Sequence, residues 1–266
     1  MRKKQINKNL NLAFIFVFFV VCLIIISFIA RFVFLIKESR FDSTHSFIAA
    51  FVSKNGIELV NFSPQNNSLY ILDVGKTEKV ENISQNLSIP LNGIVYTDKN
   101  NFSNKNISGE LLKSSFPFGD RLSGMTRLDA LRLFLFLKSV PSTSVYDRVL
   151  GSNPSDGLLS SYITLTFLNP TVSKENESIQ VINGTDTYGL GTRLANLITN
   201  IGGNVILVTT AVNNSNNSKI TYSGKSSYTV KMLSDYLGIP AVNTGRRGIA
   251  DVIITVGEDL AHTNKF

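Results

Sequence analysis

The longest apolar stretch of the chain is the uncharged run of residues 9–30, which lies between Lys8 and Arg31. As an α-helix, a run of about 22 residues reaches roughly 33 Å at about 1.5 Å per residue, and the hydrocarbon core of a bilayer is roughly 30 Å thick. A buried helix of a soluble protein seldom stays apolar on every face over this length. The pattern therefore predicts a cytoplasmic tail at residues 1–8 and a transmembrane anchor at residues 9–36.

The charges beside this segment predict its orientation. Cations near a span are retained on the cytoplasmic side, and the tail carries four of them, Arg2, Lys3, Lys4 and Lys8. We therefore expect a single-pass signal anchor in the cell membrane, with the N-terminus in the cytoplasm and the later domains outside. A cleaved signal peptide is the main alternative, but its apolar region runs about 7–15 residues and ends at a small-x-small site. Residues 28–31 match such a site poorly.

Alternating apolar residues predict that the next part, residues 41–168, is an α/β domain that opens with an antiparallel meander. Asn55-Gly56 accepts positive φ in a tight turn and so marks a hairpin. The predicted strands are residues 46–52, 57–62 and 69–74.

Helical periodicity returns after the meander. It predicts a helix over residues 126–138, with Thr126 and Asp129 as a capping box at its start. A closing strand is expected over residues 158–168. The polar and weakly patterned residues 75–119 predict long loops.

The C-terminal part has the most regular pattern in the chain. Residues 169–177 are polar and lack an apolar period, so we interpret them as a linker to a domain over residues 178–266. The element order there is βαββαβ, which allows two helices to pack on one face of a small mixed sheet. The predicted strands are residues 179–182, 204–212, 219–222 and 250–256, and the helices are residues 190–201 and 226–237. The predicted fold class is α/β (α+β), with one transmembrane helix.

Composition and charge exclude several functional classes. The formal charge is +7, but the tail holds four of the cations, and the others are dispersed among acidic residues, so we expect no nucleic-acid binding. One cysteine, Cys22, lies inside the apolar run, and the chain has two histidines. Disulfides, a zinc site or a Ser/His/Asp triad therefore have almost no raw material. No catalytic residue, metal or cofactor is assigned.

The glycine-rich turn at residues 183–191 is the best candidate for a binding site, because N–H groups at a helix start attract anions. The turn lacks the Lys and Ser/Thr of a P-loop and the third glycine of a dinucleotide fingerprint, so nucleotide binding is not favoured. Glycines that shape a turn and allow close helix packing are the structural alternative. The remaining hypothesis is a site for an anionic polymer or lipid head group. Its candidate residues are Asn183, Gly184, Thr185 and Arg193.

Glu258 and Asp259 form the one adjacent acidic pair at the end of a predicted strand. Neighbouring strand residues point to opposite faces, so they could not share a proton if the strand continued. We interpret them as a solvated strand end, and Arg246 and Arg247 as a solvated loop pair.

At this point the C-terminal residues resemble the LytR cell-envelope-related C-terminal domain family over about 80 residues. Residues 179–185 carry the strand pattern Ile-x-Val-x-Asn-Gly-Thr. Residues 189–191 resemble the helix start of that family, and residues 251–259 carry its closing pattern, Asp-Val-x-Ile-x-x-Gly-x-Asp. In relatives, this module commonly follows a membrane anchor and a LytR-CpsA-Psr domain, which transfers lipid-linked glycopolymers onto bacterial cell walls.

The resemblance implies a degenerate LytR-CpsA-Psr-like domain over residues 41–168. Arg40, Asp42 and residues 62–64 are similar to segments of that enzyme, but the expected Arg-Asp pair after the third strand is missing, so no catalytic roles are carried over. The leading hypothesis is a non-catalytic binding or scaffolding protein of the bacterial cell envelope. Its partners would be the bilayer and a wall glycopolymer or polyprenyl-phosphate lipid. The alternatives are a diverged phosphotransferase and an assembly subunit that binds another protein.

Overall fold

The computed structural model describes residues 2–75, 85–98, 104–116, 121–149, 156–245, 248–263 and 265–266. The chain divides into two compact units, Met1–Arg40 and Phe41–Phe266. The first unit is a single helix, α1 (Arg2–Glu38). Its segment Phe14–Glu38 contains an 18-residue window with a mean hydropathy of 2.9 and is long and apolar enough to cross a membrane. The prediction of one N-terminal apolar helix is confirmed.

The second unit begins with a six-stranded mixed sheet, which we call the first sheet. Its strand order is β5-β4-β1-β2-β3-β6. The predicted antiparallel meander is present as β1, β2 and β3, while β4 lies parallel to β1 and β6 parallel to β3. The strands are β1 (Phe47–Val52), β2 (Ile57–Ser63), β3 (Ser68–Gly75), β4 (Gly93–Tyr96), β5 (Leu122–Ser123) and β6 (Val145–Val149).

Helices cover both faces of the first sheet. Because successive strand residues point to opposite faces, alternate residues are buried in two different cores. Phe47 and Phe51 belong to a core formed with α2 (Asn104–Ser115) and α3 (Arg127–Ser139). Ile48 and Ala50 belong to another core, formed with α4 (Asp156–Phe167). The predicted capping box starts α3, where the Asp129 N–H donates to Thr126 Oγ1 at 3.1 Å.

Two sequence predictions for this region are wrong. Residues 158–168, predicted as a strand, lie mostly in α4, because Ile163 and Phe167 are buried one helical turn apart. A short apolar run does not distinguish a buried strand from a buried helix. The described part of residues 75–119, predicted as long loops, contains β4 and α2, while residues 76–84, 99–103 and 117–119 lie outside the described residues. Only Ile107 and Leu111 of α2 are buried hydrophobic residues, which is too few to produce a visible period.

The segment predicted as a linker contains a short helix, α5 (Pro170–Glu175). The Asn169 side chain caps it by accepting from the N–H groups of Thr171 and Val172, and Val172 is buried. Proline at the first helical position and asparagine at the cap are the usual start of a helix. The domain boundaries at residues 168 and 178 stay a prediction.

The C-terminal part forms a five-stranded mixed sheet, the second sheet, in the order β10-β9-β11-β7-β8. The predicted βαββαβ order is present, with β10 and α8 in addition. Helices α6 and α7 bury their apolar faces against the same side of the sheet, in one core with Ile179, Ile220 and Ile254. The elements are β7 (Ser178–Asn183), α6 (Leu190–Asn200), β8 (Asn204–Thr210), β9 (Lys219–Tyr222), α7 (Tyr228–Leu237), β10 (Ala241–Asn243), β11 (Val252–Val256) and α8 (Glu258–Ala261).

Candidate functional site

Three loops meet at one end of the second sheet. Strands β8 and β11 both lie parallel to β7, so the carboxyl ends of all three strands share one edge. In open α/β sheets, ligands bind outside the carboxyl ends of the strands. We call residues 184–189 and 211–218, together with residues 257–259 at the start of α8, the loop edge. The predicted site residues Gly184 and Thr185 belong to it, and Asn183 is the last residue of β7.

Backbone hydrogen bonds tie the three loops together. The Gly184 N–H donates to the Val256 carbonyl at 2.8 Å, and the Gly184 carbonyl accepts from the Ser215 N–H at 2.7 Å. The Ser215 carbonyl in turn accepts from the Glu258 N–H at 2.9 Å. Each loop is therefore bonded to a neighbour through its main chain, which fixes its position without help from a ligand.

Two glycines permit this close approach. A Cβ atom at Gly184 would lie 2.8 Å from the Val256 carbonyl oxygen, and one at Gly257 would lie 2.7 Å from the Ser215 carbonyl oxygen. These distances are shorter than a carbon and a backbone oxygen tolerate, so a larger residue would push the loops apart. The structure thus gives Gly184 a packing role.

The Asn183 side chain closes the turn that follows β7. Its Oδ1 accepts from the Thr185 N–H at 3.2 Å and from Thr185 Oγ1 at 2.8 Å, while its Nδ2 donates to the Thr187 carbonyl at 2.9 Å. Both Asn183 and Thr185 are buried. The N–H groups of Gly184 and Thr185, predicted to face an anion, therefore donate to oxygen atoms of the protein itself.

Arg193 lies in the first turn of α6. Its N–H donates to the Gly189 carbonyl at 3.0 Å, and its side chain is half-buried. The structure brings Asn183, Gly184 and Thr185 into one turn. Among the described residues, no hydrogen bond joins them to the Arg193 guanidinium. The anion site stays a prediction.

The Asp259 carboxylate also holds the loop edge together through hydrogen bonds. Its carboxylate accepts from the Ser218 N–H at 2.9 and 3.0 Å and from Ser218 Oγ at 2.5 Å, and Ser218 Oγ accepts from the Gly257 N–H at 2.7 Å. Asp259 is exposed, as the interpretation of a solvated pair predicted, but both residues lie beyond β11, which ends at Val256, and Glu258 begins α8.

Two side chains of the loop edge stand entirely in solvent. Tyr188 and Val212 are each 100% exposed, one on the loop after β7 and the other on the loop after β8. The second loop also carries four exposed asparagines, Asn213, Asn214, Asn216 and Asn217. These residues were not among the predicted site residues, although an aromatic residue within a glycine-rich turn and a cluster of asparagines were visible signals.

A pocket of about 390 Å³ lies at the carboxyl ends of β1 and β4 in the first sheet. Arg121 in its wall bonds Asp98 and Glu110, each at 3.4 Å, and Glu110 is 1% exposed. Lys113 also bonds Glu110, at 3.1 Å. This pocket was not predicted, because Asp98 lies within the weakly patterned residues 75–119 and Arg121 directly follows them. Its lining residues are Val52, Ser53, Lys54, Tyr96, Thr97, Asp98 and Arg121.

Asp42, which the resemblance aligned with an enzyme motif, holds a turn before β1. Its Oδ1 accepts from the N–H groups of Thr44 and His45, both at 2.9 Å, and its Oδ2 lies 2.5 Å from His45 Nδ1. Burial acts to raise the pKa of the Asp42 carboxyl, but these hydrogen bonds outweigh it and hold the pKa below its ordinary value. Asp42 does not line the pocket of the first sheet.

The His45 ring stacks on Tyr228, the first residue of α7, with ring centroids 3.8 Å apart and ring planes at 10°. Burial, together with the charges of Asp42 and Glu175, raises the pKa of Tyr228 to about 12, against the effect of a hydrogen bond from Asn169. Glu175 lies at the N-terminus of α7, where its carboxylate accepts from the N–H groups of Tyr228 and Thr229, both at 2.8 Å.

Comparison with known proteins places the second sheet in a family. Residues 177–260 match the family described as LytR cell envelope-related transcriptional attenuator. No curated protein and no solved structure matches the chain. The family match does not extend to residues 41–168, whose likeness to a LytR-CpsA-Psr domain stays a prediction. The second sheet and its helices are thus a LytR C-terminal-type domain, and the same chain carries, near its N-terminus, a helix long and apolar enough to span a membrane.

Proposed function

We propose that the protein is a single-pass membrane protein of the bacterial cell envelope, whose exported part binds wall components and acts as a scaffold without catalysing a reaction. The N-terminal tail lies in the cytoplasm, and residues 41–266 lie outside the membrane. The family match of residues 177–260 and the apolar helix α1 support this assignment.

The topology rests on α1 and its flanking charges. A fusion of alkaline phosphatase to Phe266 is expected to be active in whole cells, because that enzyme requires export. A fusion of a fluorescent protein that folds only in the cytosol is expected to be dark at the same position. The opposite pair of results would contradict the exported arrangement.

The observation that supports the binding role is that three well-positioned carboxylates form hydrogen bonds within the protein itself. Asp259 holds Ser218, Asp251 accepts from the N–H and hydroxyl groups of Ser178, and Glu175 caps α7. These carboxylates stabilise loops and helix ends, which is how a binding module presents a fixed surface. Loops fixed on a rigid scaffold are the usual location of binding residues.

Cosedimentation tests this role. The full-length chain in detergent is expected to pellet with purified wall sacculi and to stay in the supernatant without them. An unrelated single-pass membrane protein in the same detergent is the control and should not pellet. Failure of the full-length chain to pellet with sacculi from any envelope preparation would contradict wall binding.

The pocket of the first sheet favours the phosphotransferase as a second candidate function. Arg121 and Lys54 bring two cationic groups to one cavity, as binding of a phosphorylated substrate requires. Arg121→Ala is expected to abolish any transfer of a lipid-linked glycopolymer to wall fragments. Arg127→Ala, at an exposed arginine of α3, is the matched control. Absence of transfer by the unmodified chain would leave the binding role.

A further inference from the structure

The loop edge exposes an aromatic ring and an aliphatic side chain on neighbouring loops. Tyr188 and Val212 are both 100% exposed, and the strands that lead to them, β7 and β8, are adjacent and parallel. The Ala211 N–H, directly before Val212, donates to the Asn183 carbonyl at 2.8 Å. A large side chain that is fully exposed to solvent buries no apolar surface and so contributes no hydrophobic stabilisation to the fold. Such a side chain is suited to contact a ligand.

Amide groups follow Val212 on the same loop. The loop of residues 211–218 presents four exposed asparagines, and none of their side-chain amides has a hydrogen-bond partner among the described residues. Each amide offers two donors and one acceptor. This set of donors and acceptors complements hydroxyl and acetamido groups. The face of an aromatic ring carries negative potential, which attracts the polarised C–H groups of a sugar ring.

The charges at the loop edge do not favour a polyanion. Three carboxylates lie there, those of Asp186, Glu258 and Asp259, while the cations beside it are Arg193 and Lys219. The N–H groups of Gly184 and Thr185 are already bonded within the protein. A ligand that carries little charge, and that contacts the aromatic ring and the amide groups of the protein, fits this surface better than a phosphate polymer does.

We propose that the loop edge binds an uncharged glycan strand, with Tyr188 stacked on a sugar ring, Val212 against its apolar edge, and the asparagine amides bonded to its hydroxyl or acetamido groups. This inference rests on the proposed wall-binding function and names its ligand class. The loops are held in place before binding, so little conformational entropy is lost when the glycan docks.

Calorimetric titration of the full-length chain in lipid nanodiscs tests the proposal. The probes are chitohexaose and cellohexaose, which are uncharged, and inorganic polyphosphate, which is a polyanion. We expect binding of at least one uncharged hexasaccharide. Tyr188→Ala should weaken it by about tenfold, and Tyr188→Phe, which keeps the ring, should bind within about threefold of the unmodified chain.

A matched pair of aliphatic changes serves as the control. Val212→Ser should weaken glycan binding, whereas Ile249→Ser should not, because Ile249 is 75% exposed in the loop before β11, at the other end of the sheet. Binding of polyphosphate alone, or glycan binding that is unchanged by Tyr188→Ala and Val212→Ser, would overturn the proposal. If sacculi still pellet the chain in that case, wall binding persists through another surface. If they do not, the proposed function itself fails.

Discussion

Single atoms decide whether the loops of the second sheet can meet. Gly184 and Gly257 lie against backbone carbonyl oxygens of neighbouring loops, and Ser218 Oγ stands between Asp259 and the Gly257 N–H. At this scale, the geometry depends on the absence of a Cβ atom and on one hydroxyl group with two partners.

Gly184→Ala is expected to destabilise the folded state by about 1–3 kcal/mol, because the added methyl group would lie 2.8 Å from the Val256 carbonyl oxygen and the loops would have to shift. Chemical denaturation measures the change in the free energy of unfolding. Gly109→Ala in α2 is the matched control, since nothing lies within 4 Å of its added methyl group. That change should be neutral or stabilising, because alanine favours a helix by roughly 0.5–1 kcal/mol.

Asp259→Asn is expected to lower the free energy of unfolding by about 1–3 kcal/mol, because Ser218 donates to both carboxylate oxygens. Its neighbour gives the control. No hydrogen bond is formed by the Glu258 side chain among the described residues, so Glu258→Gln should change stability by less than about 0.5 kcal/mol. Equal effects of the two changes would contradict the role assigned to Asp259.

At the scale of the elements, a carboxylate from one helix starts another. Glu175, the last residue of α5, accepts from the N–H groups at the beginning of α7, where the helix dipole also favours a negative charge. The segment predicted as a linker therefore supplies a cap to the second helix of the C-terminal domain.

Glu175→Ala is expected to destabilise α7 and lower the free energy of unfolding by about 1–2 kcal/mol, because the N–H groups of Tyr228 and Thr229 lose a charged acceptor. Asp235→Ala removes an exposed carboxylate from the same helix and should have little effect. Amide hydrogen exchange can locate the change, since exchange should accelerate in the first turn of α7 with the first substitution alone.

At the scale of the whole molecule, a ring contact joins residues that are far apart in the chain. The His45 ring, before β1, stacks on Tyr228 of α7, and the Tyr228 hydroxyl accepts a hydrogen bond from Asn169 at 3.3 Å. The contact links the start of the first sheet to the C-terminal domain. Stability at high pH should report on it.

The free energy of unfolding is expected to fall between pH 10 and about pH 12. Unfolded chains release the phenol proton near pH 10, whereas the folded state holds it to about pH 12, so the folded state binds more protons in this window. Tyr228→Phe keeps the ring but removes this titration, and its stability should decline less over the same window. Identical pH profiles for the two chains would contradict a buried Tyr228 hydroxyl.

The sequence was informative wherever a feature depends on neighbouring residues. The capping box of α3 and the meander were predicted because their signals lie within a few residues, and the LytR-type pattern spans about 80 residues of the second sheet. The helix α4 was predicted as a strand because a short apolar run fits a buried strand and a buried helix equally well. The helix α2 was predicted as a loop because it has few apolar positions and is buried against a distant sheet face. The pocket around Arg121 joins residues whose positions in the chain gave no common signal.

By itself, the sequence determined the apolar helix α1, the mixed α/β class and the βαββαβ order of the C-terminal domain, because periodicity and length act locally along the chain. The tertiary structure alone decided that Asp259 fastens Ser218, that Glu175 caps α7, and that Tyr188 and Val212 stand exposed at one edge. The reason is physical: hydrogen-bond partners and solvent exposure depend on which loops the parallel strands bring together, and sheet pairing joins residues that are distant in sequence.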